Sequence, residues 1–428
     1  MFLIAGLTEI SIIEARGQEI RQPLPNGSSN AALHYLRAIL LLADVDPESK
    51  SLLEKPLWEI VTPQMTEQQR GLISQLLFSG RHAVRATMMG AQQNSADFGA
   101  DPRAYGAAIL LPHVEPMHHL AQLVAIYGMY EQGEKKWAEA AETFLSVIRM
   151  GHHLTDQLTL GESTKGIRVL ESGYYSLVTW ATRCPDPNLI ASARQSLLAV
   201  SADGVSPLAA LGNEAAIVDL RLSQLQNAYP DGNWPEILLA ATAAVPETDD
   251  VTDWPEFAKS QVIKRGVPAS VFESEQDFNK YIESMRTLNQ QYYANTIAAL
   301  ALPPEQAIAK GEVVYREFAG QLVRLGNADA LNPGQIAAFY ATHESGLRLL
   351  NITLAICAQR EGKLYPQDLS SVASLFGGQI PVSSVGQKSV IYKVSADRTG
   401  FRISFPSIKV GETQVSEVAF EHNFVVGK

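Results

Sequence analysis

The sequence predicts a mostly α protein: helical hairpins packed side by side as a curved solenoid or irregular α–α bundle, ending in a small C-terminal β-rich module. Three observations carry this. Apolar residues recur at three- and four-residue spacing through most of the chain up to Arg360, the period of one helical face. Pro, Ser, Thr and Asn stand where such stretches begin, as helix starts require. Beyond Glu361 the pattern changes to short alternating runs between glycines, the signature of strands and turns.

The stretch Met117 to Leu154 organises the helical part. In its first half Met117, Leu120, Val124, Tyr127 and Tyr130 share one face. Pro116 lies just inside the start, where its missing N–H costs nothing, and Gly133 supplies the break. In the second half the stripe is Trp137, Ala140, Ala141, Phe144, Ile148 and Gly151. Ala140 and Gly151 are small, so a neighbouring helix can come close. The pair resembles a tetratricopeptide repeat unit at Leu123, Gly128, Gly133, Trp137, Ala140 and Phe144. Its turn is about two residues longer than that family uses, so the resemblance implies a helical hairpin more than a repeat array.

Taken in order, residues 1–27 form an N-terminal segment. Phe2 to Ile13 is apolar and Ala15-Arg16-Gly17 offers small residues for cleavage, but no Lys or Arg precedes the run and Glu9 and Glu14 interrupt it. It reads as an atypical export signal or as an ordinary first helix or strand. A linker, Arg21 to Gly27, follows. Residues 28–228 form the helical-hairpin region. Ser28 or Ser29 caps a helix whose Leu33, Leu36, Leu40 and Leu41 line up. A short helix spans Ser51 to Ile60. Thr66 with Gln69 makes a capping box for a helix to about Met89, with Ile73, Leu76, Leu77 and Val84 inside. Ala91 to Pro112 reads as a loop. After the central hairpin come helices over Ser163–Thr182, stopped by Cys184-Pro-Asp-Pro187, then Asn188–Val200 and Pro207–Ala228.

Residues 229–274 are a Pro-, Trp- and acid-rich linker or insertion, in which Asn233-Trp-Pro-Glu236 recurs as Asp253-Trp-Pro-Glu256. Two helix starts are the ordinary reading of that repeat; an exposed aromatic lip is the functional one. Long helices fill residues 275–361: Glu275–Leu300, Pro304–Leu325 and Pro333 to about Arg360. Residues 362–428 are the β-rich module, with strands at Tyr392, Phe401–Phe405 and Glu417–Val426. A module of roughly this size is marginal alone, so it is expected to pack on the last helix.

Arg360-Glu-Gly-Lys-Leu-Tyr-Pro366, Leu369, Ile380-Pro381, Ile391-Tyr-Lys393 and the Phe401 strand resemble the C-terminal half of a type II secretion pseudopilin. Val382-Ser-Ser384 stands where that family has an Asp-Pro turn, and the family's N-terminal methylated helix is missing, so pilus assembly is not implied. The whole layout is similar to large uncharacterised families of exported bacterial proteins. That resemblance implies the periplasm or cell envelope, with the cytoplasm as the alternative, and implies no activity.

The formal net charge of the 428-residue chain is −11, with no Lys/Arg block, which argues against nucleic acid as partner. Hydrophobic residues make up 46%, enough for a sizeable core. Cys184 and Cys357 are the only cysteines, neither a disulfide framework nor a zinc cluster. No apolar run reaches the ~20 residues of a transmembrane helix.

His-Glu-x-x-His, Gly-x-Ser-x-Gly, P-loop and Gly-x-Gly-x-x-Gly motifs are absent. One cluster follows from hairpin geometry. His118 and His119 begin the first helix; His152 and His153 end the second, with Asp156 one turn on. Imidazoles and a carboxylate gathered there would suit a divalent metal. The ordinary reading is that His152 sits at a helix C-terminus, where positive charge is favoured, and the others are surface. His343 on the last helix is expected to be buried and hydrogen-bonded; Glu171 reaches solvent or is a raised-pKa acid; Cys357 is core and Cys184 lies in a turn. The expected work is non-catalytic binding or scaffolding of a protein or peptide partner on a helical surface, with Tyr127, Tyr130, Tyr174 and Tyr175 as contacts and no cofactor. The alternatives are an enzyme with a site at the end of the hairpin, and a structural, self-associating envelope protein.

Overall fold

The computed structural model describes residues 30–55, 57–60, 65–99, 111–157, 159–228, 257, 259–260, 263–264, 267–324 and 331–423. The N-terminal segment, the repeated Trp-Pro-Glu motif and the end of the last expected strand lie outside them.

The chain is mostly helical. Its longer helices are α1 (Ala31–Ala43), α2 (Glu67–Ala91), α3 (Val114–Gly133), α4 (Trp137–Thr155), α5 (Leu160–Arg183), α6 (Pro187–Val200), α7 (Leu208–Ala228), α8 (Glu275–Leu300), α9 (Pro304–Arg324) and α10 (Pro333–Ala358). Between α1 and α2 lie short helical turns, where the sequence suggests one short helix. The expected capping box of α2 forms: Thr66 Oγ1 accepts from the Gln69 N–H, and Gln69 Oε1 accepts from the Thr66 N–H. A second box, Thr159 with Glu162, opens α5 three residues before the expected start. Asp186, Ser274 and Asn332 cap α6, α8 and α10. The left-handed residue of the α3–α4 turn is Lys135, with φ 61°; Gly133 is the last residue of α3 itself.

Two cores meet at the α4–α5 hairpin. One is built from α1, α2 and α3 with Val147, Met150 and Leu154 of α4 and Val169 of α5. The other takes Phe144 and Ile148 of α4, Leu170, Leu177 and Trp180 of α5, then α6, α10 and the C-terminal module. Trp137 is partly buried against this second core, and Trp180 Nε1 donates to the Trp137 carbonyl at 2.9 Å. The hairpin is therefore a wall shared by both halves, and it is thin because glycines line it. A Cβ on Gly151 would lie 2.6 Å from Leu170 Cγ, one on Gly173 2.6 Å from Ile148 Cγ1, and one on Gly166 2.7 Å from the Thr155 backbone nitrogen. Gly151 thus plays the close-packing role expected of it, with α5 as its neighbour.

α1 departs from expectation. Its buried face is Ala31, Tyr35, Ala38 and Leu42; Leu33, Leu36 and Leu40 point outward. The reason is the close approach of α2, whose Gly90 leaves room for the Tyr35 ring. Alanine and tyrosine fit that approach, and a leucine row does not.

The C-terminal module is a three-stranded antiparallel sheet, β1 (Ile391–Val394), β2 (Phe401–Phe405) and β5 (Val418–His422) in the order β1-β2-β5, with a hairpin of β3 (Ile408–Val410) and β4 (Thr413–Val415). As expected, it packs on the last helix: Phe401, Ile403 and Phe405 join Leu349, Leu350 and Ile352 in one core. Glu312 of α9 ties down the β3–β4 turn, its carboxylate accepting from the Glu412 N–H. Gly411 in that turn has φ 60°, and any Cβ there would meet the same carboxylate. Burial raises the Glu312 pKa, but bonds from Thr413 and the turn N–H groups outweigh it and leave the group below its ordinary value.

Candidate functional site

His118 and His119 fall in the first turns of α3, and His152 and His153 in the last turn of α4. The side chains, however, go separate ways, because successive residues of a helix diverge by about 100°. His153 turns toward α1. Its Nδ1 is 2.7 Å from the Tyr35 hydroxyl and its Nε2 3.1 Å from the Gln93 carbonyl. A carbonyl only accepts, so Nε2 carries the proton, Nδ1 is the acceptor and Tyr35 donates. Burial holds this neutral imidazole down to a pKa of about 4. His152 turns toward Ser201, 3.3 Å away, and burial holds it at about 4 as well, against the opposing pull of Asp203.

His118 contacts Gln122 at 3.1 Å and is lowered to about 4 by burial, then by Lys165. His119 faces Glu115 at 3.8 Å. Glu115 itself pairs with Lys165 at 2.6 Å. Asp156 is raised by partial burial and by the charge of Asp203. Among the described residues no group of three His, Cys, Asp or Glu side chains is placed to hold a metal ion. The expected ligands instead make separate local contacts: hydrogen bonds at His118, His152 and His153, and a longer approach to Glu115 at His119. Tyr35→Phe removes the donor and leaves His153 Nδ1 buried without a partner. It is expected to lower the unfolding free energy by about 1–3 kcal/mol in urea titrations.

A second polar centre, absent from the sequence reading, sits at the buried start of α5. His113 Nε2 lies 2.9 Å from Glu162 Oε1, with side chains 4% and 1% exposed. Glu162 Oε2 accepts from the Thr159 N–H and hydroxyl at 3.1 and 2.8 Å. Glu214 of α7 accepts from the Leu160 N–H at 3.0 Å, and burial raises its pKa. Phe98 stacks on His113 with ring centroids 3.9 Å apart. Two carboxylates at a helix N-terminus satisfy donors that burial would otherwise orphan. The signal was present in Thr159-x-x-Glu162, but nothing local in sequence ties His113 to it.

His343 is buried as expected, yet its Nδ1 has no hydrogen-bond partner, nor has the Tyr174 hydroxyl. The two rings stack with centroids 5.6 Å apart, and burial pushes His343 down to about 3. Glu171 pairs with Arg168 at 3.2 Å; burial raises it in spite of that partner. Cys357 and Cys184 are both buried, so the turn cysteine is not a surface thiol.

Of the four tyrosines, Tyr174 is 3% exposed and leaves the contact surface. Tyr130 is 50% and Tyr175 38% exposed, and Tyr127 is half-buried beside Tyr130, ring centroids 6.4 Å apart. A cleft of about 390 Å³ opens between the start of α9 and the C-terminal module, lined among others by Pro304, Gln306, Ser384 and Gln387. None of the histidines lines it.

Fold and polar centres together define a class: a mostly α assembly of packed hairpins with a small antiparallel C-terminal sheet. No helix among the described residues is long and apolar enough to cross a membrane. No protein-family model, curated protein or solved structure matches the chain.

Proposed function

We propose that this is a non-catalytic binding or scaffold protein of the cell envelope, engaging a protein or peptide through its helical surface. The observation that supports this most is the aromatic pair on α3. That helix is apolar on nearly every side and buried along most of its length, yet Tyr130 remains half exposed next to Tyr127. A rigid tyrosine at the edge of a packed hairpin offers large contact area at small entropic cost. His152 and His153 at the hairpin end, by contrast, already have intramolecular partners.

Co-purification from the native host tests this. A partner recovered with the wild-type chain is expected to be reduced at least about tenfold with Tyr130→Ser, while the variant melts at the wild-type temperature. Equal recovery with both would overturn the assignment of this surface.

A further inference from the structure

We propose that the outer face of the α1–α2 pair is a docking surface for an anionic lipid bilayer. This face is distinct from the Tyr130 edge and does not depend on the reading above. α1 carries leucines on both its inner and its outer side, with Arg37 among the outer ones. Its inner face is buried against α2 and α3, while Leu33, Leu36 and Leu40 stand 39, 40 and 71% exposed. An outer row of leucines with an arginine beside it suits an interfacial environment better than open water. On α2, Phe78 is 72% exposed, with the Arg81 guanidinium 4.5 Å above its ring.

The charge pattern selects the occupant. In a chain of net charge −11, α1 carries Arg37 and no acid; α2 carries Arg70, Arg81 and Arg85, and its only acid is Glu67 at the first position. The acids lie in the connection between the two helices, Asp44, Asp46, Glu48, Glu54 and Glu59, and at Glu67; Asp46 is engaged by Gln75 at 3.1 Å. Arg37, Arg81 and Arg85 are exposed, and none forms a salt bridge among the described residues. Exposed leucine and phenylalanine interleaved with arginine is the composition of a surface that lies in a headgroup layer, apolar side chains entering the acyl boundary and guanidinium groups meeting lipid phosphates. A second copy fits less well, because a two-fold interface sets a patch against itself and would bring the arginines face to face.

Vesicle co-sedimentation of the full chain tests this. Vesicles with roughly one-third phosphatidylserine are expected to retain the protein, and pure phosphatidylcholine vesicles to retain at least about tenfold less. Raising salt from about 0.1 to about 0.5 M should weaken binding. Leu40→Gln with Phe78→Gln, and separately Arg81→Gln with Arg85→Gln, should each reduce it at least about tenfold. All four positions are exposed, and unchanged melting temperatures show that the fold persists. Equal retention by both vesicle types, no retention at all, or binding unaffected by either pair of substitutions would overturn the proposal. So would a wild-type dimer in light scattering that the Leu40→Gln, Phe78→Gln variant dissolves, which would assign the face to a second copy.

Discussion

Gly166→Ala is expected to lower the unfolding free energy by about 3 kcal/mol, at or above the usual upper range for overpacking. The added methyl would lie 2.7 Å from the Thr155 backbone nitrogen and 2.9 Å from the Gly151 carbonyl oxygen. Neither atom can rotate away as a flexible side chain would. Relief requires α4 and α5 to separate along their seam, and that seam supports both cores, so the loss spreads to Val147 and Met150 on one side and Ile148 and Leu170 on the other. Gly212→Ala is the control. It lies on α7 with nothing within 4 Å of an added Cβ, so the same chemical change should stabilise by about 0.5–1 kcal/mol through helix propensity. Urea midpoints for the two variants should move in opposite directions. A Gly166→Ala midpoint at or above the wild-type value would show that the hairpin is not the tight wall described.

Acid is expected to remove a large part of the stability between pH 6.5 and pH 4. His153 and His152 are held at about 4 by burial and His343 at about 3, against an ordinary 6.5. Between those values the unfolded chain binds protons that the folded chain refuses, so stability rises with pH across the window and is fully present above 6.5. By the usual conversion, His153 and His343 each account for roughly 3 kcal/mol at pH 4. Together that is comparable to the whole stability of many domains. Glu214 and Glu171, raised by burial, act in the opposite sense and offset part of the loss. His343→Phe should keep the stacking on Tyr174, remove an unpartnered nitrogen and flatten the pH dependence. Urea midpoints from pH 7.5 to 4.5 for the two proteins check this; parallel curves would mean that His343 titrates normally in the folded state.

The fold class was legible because most helices carry their own boundary chemistry. Thr66 with Gln69, Asp186-Pro187 and Asn332-Pro333 name helix starts locally, and Phe401 to Phe405 names a strand by alternation. What failed was the direction of faces that depend on a partner. The leucine row of α1 reads as an inner stripe by period, but Gly90 and Tyr35 decide which side is inner, and that contact spans more than fifty residues. The hairpin end was half legible. Counting back from the turn sets His118 and His119 opposite His152 and His153, but the partners of the latter two, Ser201, Tyr35 and Gln93, come from other helices and loops. The His113–Glu162 centre was invisible for the same reason: its two halves are 49 residues apart.

The central claim is that the imidazoles ending α4, His152 and His153, are neutral structural hydrogen-bonding groups, so that shape and surface are what the molecule presents. The most direct measurement is the ring nitrogen spectrum of His153 at about pH 5.5, with and without added zinc; an unperturbed imidazole would be mostly protonated there. The account predicts a neutral ring with the proton on Nε2, unchanged by zinc. A doubly protonated ring, or a nitrogen shifted by the metal, would contradict it.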